Sequence, residues 1–223
     1  MLSIKKISAV AVALAALSAS SAFAAAVVPT YTTFGTLAAA NFGGSGIPNN
    51  AVAMTALSDL TLGLTATQRF AMPAVTNNGA GVFHAVNGAF AAGDNLAKWN
   101  FDFFVGGTGL GNYSYKLFGD YDSAVGNDET SYADISGYLS AAAGSLATPG
   151  TIQNSENLGF GTGFAQFNPN VAGEYGFILA AYNRAGLEVG RSAILVQVPE
   201  PASLALVGVA LLGVAGSRRR SRR

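Results

Sequence analysis

Period-two alternation of apolar and polar residues is the strongest signal along this chain, and it recurs in short separate runs. In residues 60–65, Leu60, Leu62 and Leu64 alternate with Thr61, Gly63 and Thr65. In residues 98–105, Trp99, Phe101, Phe103 and Val105 share one face, with Lys98, Asn100 and Asp102 opposite. A Gly-rich stretch, 106–111, leads to residues 112–118, where Tyr113, Tyr115 and Leu117 align, so these two runs predict a β-hairpin. A second hairpin is predicted near the C-terminus. Residues 174–183 align Tyr175, Phe177, Leu179 and Ala181, Arg184-Ala185-Gly186 supplies the turn, and residues 187–198 align Ser192, Ile194, Val196 and Val198. Asn168-Pro169-Asn170 and Ala172-Gly173 punctuate its start, as turn formers should. Only residues 133–143 carry a helical pattern, weakened by Gly137. Residues 29–48 show no periodicity, and the Ala/Gly clusters at 38–46, 89–93 and 141–144 read as loops.

Short strands, frequent turns and no βαβ alternation predict an all-β body over residues 25–198, an antiparallel β-sandwich of Ig-like or jelly-roll-like form. Composition narrows what that body can do. The 223 residues include no Cys and one His, His84, which removes disulfides, thiolate metal sites, Cys nucleophiles and multi-histidine zinc sites. His84 lies between apolar residues and reads as an ordinary strand side chain. Charged residues make up 11% of the chain, well under the usual ~25%. The overall charge is zero, but the body holds five basic and eleven acidic residues, a net of −6, which disfavours nucleic acid as a partner. The positive charge sits at the two ends.

Those ends read as addresses. Lys5 and Lys6, the apolar run 9–17 and the small residues Ala22 and Ala24 stand in the order of a secretory signal peptide spanning residues 1–24, with the mature chain starting at Ala25. At the other end Pro199-Glu200-Pro201 interrupts regular structure, since neither proline offers an N–H. The uncharged, Leu- and Val-rich run 202–217 follows, and Arg218, Arg219, Arg220, Arg222 and Arg223 close the chain. As a helix this run is about 24 Å long, and arginines that reach back into the interface let it serve as a transmembrane segment. The basic cluster keeps residues 218–223 cytoplasmic and puts the body across the membrane.

A Pro-Glu-Pro motif at 199–201, a short apolar helix at 202–217 and an arginine cluster, in that order, closely resemble the PEP-CTERM sorting tail of exported Gram-negative bacterial proteins. The resemblance covers residues 199–223. It implies processing by an exosortase, a membrane-embedded cysteine protease-transpeptidase, from an inner-membrane-anchored intermediate to the cell surface or extracellular matrix. It also implies a setting of exopolysaccharide production and biofilm or floc formation. Residues 164–198 are similar to the closing hairpin of Ig-like domains in such proteins.

For the body, three functions are weighed. The first is a non-enzymatic structural or interaction protein. The second is a carbohydrate-binding module engaging exopolysaccharide, for which Tyr121 and Tyr132, beside acids, are the stacking candidates, whereas Trp99 belongs to the core. The third is a surface glycoside hydrolase, pairing Asp120 or Asp122 with Glu129 or Asp134. The one acidic cluster, Asp120, Asp122, Asn127, Asp128 and Glu129, also invites calcium, which takes about six to eight oxygen ligands, with Asp120, Asp122, Asp128 and Glu129 as the ligands. Its spacing is not that of an EF-hand, and a solvated loop between strands accounts for it as well. No cofactor is otherwise implied: the Gly-rich turns lack phosphate-loop patterns, and no Gly-x-Ser-x-Gly elbow exists.

Overall fold

A computed structural model describes residues 26–42, 50–145, 150–160 and 167–200. The signal peptide with its cleavage residues Ala22, Ala24 and Ala25, the third motif residue Pro201, the apolar run 202–217 and the arginines at 218–223 lie outside the described residues.

Eleven strands and one α-helix are described: β1 (Thr33–Gly35), β2 (Val52–Ala56), β3 (Thr61–Gln68), β4 (Thr76–Asn77), β5 (Val82–His84), β6 (Trp99–Gly106), β7 (Ser114–Gly119), β8 (Ala133–Asp134), α1 (Gly137–Ser145), β9 (Thr151–Glu156), β10 (Gly173–Tyr182) and β11 (Glu188–Val198). One sheet runs β1-β2-β3-β6-β9 and the other β4-β5-β11-β10-β7-β8. The all-β expectation holds at this level. The pairing departs from it in one place, because β5 lies parallel to β11, with His84 beside Gln197. The chain enters β5 from a tight turn in which Asn78 Oδ1 accepts from the Ala80 and Val82 N–H groups.

The aligned apolar faces meet between the sheets. Leu62, Leu64, Phe101 and Phe103 from one sheet pack with Phe177, Leu179, Ile194 and Val196 from the other. Phe177 stacks on Phe101 with ring centroids 4.4 Å apart, and Trp99 lies against Tyr175 and Phe177. Each such side chain removed from water contributes about 1.5–3 kcal/mol.

The C-terminal hairpin forms as predicted, β10 against β11 from Gly173–Val198 to Tyr182–Glu188, with an irregularity at Ala181/Tyr182. The other predicted hairpin does not form. β6 pairs with β3 and β9, whereas β7 pairs with β10 and β8, so residues 107–113 carry the chain from one sheet to the other. That crossing packs on the β2–β3 turn: the Gly109 N–H donates to the Asp59 carbonyl at 2.8 Å and the Tyr113 hydroxyl to Asp59 Oδ1 at 2.8 Å. A Cβ on Gly109 would stand 2.0 Å from Asp59 Oδ2, so the glycines here permit a close approach rather than a two-residue turn. The helix begins at Gly137 instead of being interrupted by it, and the Ala141–Gly144 cluster is helical rather than a loop. Within 29–48, β1 forms where no periodicity marked a strand.

The outer faces are also covered. On the first sheet, Ala40 and Phe42 pack on Val52 and Phe104, with Leu37 and Met54 alongside. On the second, Tyr132 packs on Ile178 and Ala193, with Val27 alongside. Asn100 and Asp102, expected to face away from the core, are therefore buried with everything else on β6.

Candidate functional site

β11 carries the chain straight into the Pro-Glu-Pro segment. Val198, only 3% exposed, pairs with Gly173 as the last rung of the hairpin, and Pro199, which has no N–H to donate, ends the ladder. Pro199 and Glu200 are exposed and line an open cleft of about 560 Å³, together with His84, Val125, Glu174 and Gln197. The cleft is held open by named contacts. Glu174 Oε1 accepts from the Gly126 N–H at 3.3 Å and Oε2 from Gln197 Nε2 at 3.0 Å, while the Glu174 N–H donates to the Ser123 carbonyl at 3.3 Å. A Cβ on Gly173 would lie 2.2 Å from that Ser123 oxygen, so only glycine lets the loop 123–126 sit this close to β10. On the other wall, His84 ends β5 with its side chain exposed, and the next N–H, of Ala85, donates to the Gln197 carbonyl at 2.9 Å.

A family model for the PEP-CTERM protein-sorting motif matches residues 197–220. The chain carries a PEP-CTERM sorting motif. The motif marks it as an exported protein targeted to an exosortase. The match begins at Gln197, inside β11, so the first two residues of the PEP-CTERM region belong to the sheet. No curated protein and no solved structure matches the chain.

The acidic loop does not build the site expected of it. Asp120, 3% exposed, accepts from Asn127 Nδ2 at 2.8 Å and from the Asp122 N–H at 3.0 Å, and burial pushes its carboxyl up. Asp122 takes the Ala124 N–H. Asp128 caps a 3-10 turn at Glu129–Ser131 through the Thr130 N–H and hydroxyl, and the hydroxyl bond holds it below the usual carboxylate range. Glu129 pairs instead with Arg191, 2.7 Å away, which also binds Glu188. Calcium ligation by Asp120, Asp122, Asp128 and Glu129 is thus not supported, since each is spent on a separate local partner. Among the described residues no group of three or more His, Cys, Asp or Glu could hold a metal ion. What the loop receives is the chain's own N-terminal segment: Ala26 bridges to Asp128 and the Val27 N–H donates to the Asn127 carbonyl at 3.2 Å.

The remaining paired-carboxylate candidate, Asp134, also has local partners. Asp134 is bound by the Ser136 N–H and hydroxyl and faces Lys116 at 3.9 Å. Of the two stacking candidates, Tyr132 is buried and Tyr121 is partly exposed. Tyr132 is 9% exposed and packs closely over Gly176.

Three features were not foreseen from sequence. Asp102 is fully buried, and neither of its oxygens nor the Thr67 hydroxyl makes a hydrogen bond of good geometry among the described residues. Burial pushes its carboxyl up to about 7, against the pull of the Ser155 and Thr67 hydroxyls; Glu156 is likewise pushed to about 7 by burial. Arg69 lies over the rings of Phe70, Phe90 and Phe160 at 4.9, 5.0 and 5.0 Å, tying three connections together. Val125 and His84 stand beside the sorting segment, and no local pattern marks either, because their neighbours in space come from β10 and β11.

Proposed function

We propose that the body is a non-enzymatic structural or interaction domain, delivered to the cell surface or extracellular matrix of a Gram-negative bacterium in a setting of exopolysaccharide or biofilm formation. The observation that carries this reading is the continuity of β11 with the motif: the last core strand ends at Val198, immediately before Pro199, so the folded body leads directly into the sorting signal. The spending of Asp120, Asp122, Asp128, Glu129 and Asp134 on caps, turns and ion pairs supports a body whose polar groups serve its own architecture.

The exosortase step is tested by a triple variant, Pro199→Ala, Glu200→Ala and Pro201→Ala, expressed in the native host. Full-length, membrane-retained protein with an unchanged melting temperature is expected. Recovery of that variant from the medium or matrix in the same shortened form as wild type refutes the sorting reading. Mass spectrometry of the wild-type protein from the same host reports both termini and any attached glycan or lipid.

A further inference from the structure

We propose that the cleft beside the motif is a docking surface for exosortase, so that the enzyme engages the folded body together with the Pro-Glu-Pro segment. This rests on the sorting reading and adds that the body is part of what is recognised.

The first reason is reach. Val198 is locked into the hairpin and the apolar run begins at Ala202, which leaves residues 199–201 as the whole connection. Three residues span at most about 10 Å, so an enzyme gripping them at the membrane face meets the end of the sandwich as well. The second is that the cleft is preorganised. Its loop wall is pinned to β10 by Glu174 and by the absence of a side chain at Gly173, and its other wall is the paired end of β5 and β11. A fixed surface binds without the cost of ordering it first. The third is the chemistry of the lining. Val125, 78% exposed, sits on that pinned loop beside Ala124, and the exposed Glu200 of the motif supplies a carboxylate, whereas Glu174 is buried and occupied in holding the loop. The complementary surface carries an apolar side chain and a basic one, and the −6 charge of the body favours the basic group from a distance.

The test uses the full-length chain with its exosortase in native membranes and follows conversion to the shortened form by pulse-chase. Val125→Asp should slow conversion about tenfold, the effect of losing one well-formed interface contact, with no change in melting temperature because Val125 packs against nothing in the core. Leu187→Asp, at a side chain 65% exposed at the far turn of the hairpin, should convert at the wild-type rate. A Gly-Ser-Gly-Ser insertion between Val198 and Pro199 should also slow conversion, by parting the motif from the cleft. Conversion of Val125→Asp at the wild-type rate, or faster conversion of the insertion variant, overturns the proposal. If the triple alanine variant is shortened normally, the sorting reading itself has failed, and that result does not depend on Val125.

Discussion

At the scale of single residues, the most consequential is Asp102. It lies on the outer face of the first sheet, level with Thr65 on β3 and Ser155 on β9, and that face is closed. A carboxylate cannot be ionised there cheaply, which is why the folded protein holds the proton up to about 7, where the unfolded chain releases it near 3.8. Between those values the native state binds more protons than the unfolded one, so stability falls as pH rises and the loss is complete above pH 7. For a fully buried group this amounts to on the order of 4 kcal/mol. Glu156 acts in the same direction and the same window. The melting temperature should therefore fall between about pH 4 and pH 7, by on the order of 10 °C for a domain of this size, and level off above pH 7. Asp102→Asn should raise the melting temperature at pH 8 and flatten the profile, since a neutral amide meets the same hydroxyls without the ionisation cost. A wild-type profile that is flat, or that rises with pH, contradicts this account.

At the scale of elements, β10 organises the second sheet. It pairs with β11 on one side and β7 on the other, its inward residues fill the core, and its outward face is closed by Tyr132. That closure depends on Gly176, where a Cβ would lie 1.8 Å from the Tyr132 oxygen. Gly176→Ala should cost about 1–3 kcal/mol by overpacking and lower the melting temperature by several degrees. Tyr132→Phe, which removes the closest atom, should recover part of that loss when combined with it, a non-additivity that thermal melts of the four proteins will report. An unchanged melting temperature for Gly176→Ala means that Tyr132 does not lie on the strand.

At the scale of the whole molecule, the ends of the body are tied in rather than trailing. The N-terminal segment reaches the acidic loop through Ala26 and runs on to Thr30, whose N–H donates to the Ala193 carbonyl at 3.0 Å. The acidic loop thus acts as a seat for the chain; Asp120, Asp122 and Asp128 are bound within it, and Glu129 pairs with Arg191 of β11. Because a ligand bound only to the folded state stabilises it by mass action, calcium would reveal itself in the melting temperature. Millimolar calcium and chelator should give the same value; a fall on chelation restores the metal.

What the sequence determined alone was whatever depends on order along the chain. The alternation at 174–198 is sufficient for a hairpin, since a turn at 184–186 and matched faces leave one register. The motif is likewise linear, because an enzyme reads it along the chain, and its three parts stand in sequence at 199–223. What only the tertiary structure decided is where distant segments meet. Alternation in 98–105 and 112–118 says that each is a strand with one buried face, but not which strand lies beside it; Asp59, from another turn, draws the intervening loop across to the second sheet. The same limit hid the burial of Asp102, whose polar position in an alternating run reads as solvent-facing until a second layer covers it. It also hid the cleft, whose walls come from residues near 84, 125, 174 and 198. Local pattern records the preference of each face for water or for apolar contact, and the partner that meets that preference is chosen by the packing of the whole chain.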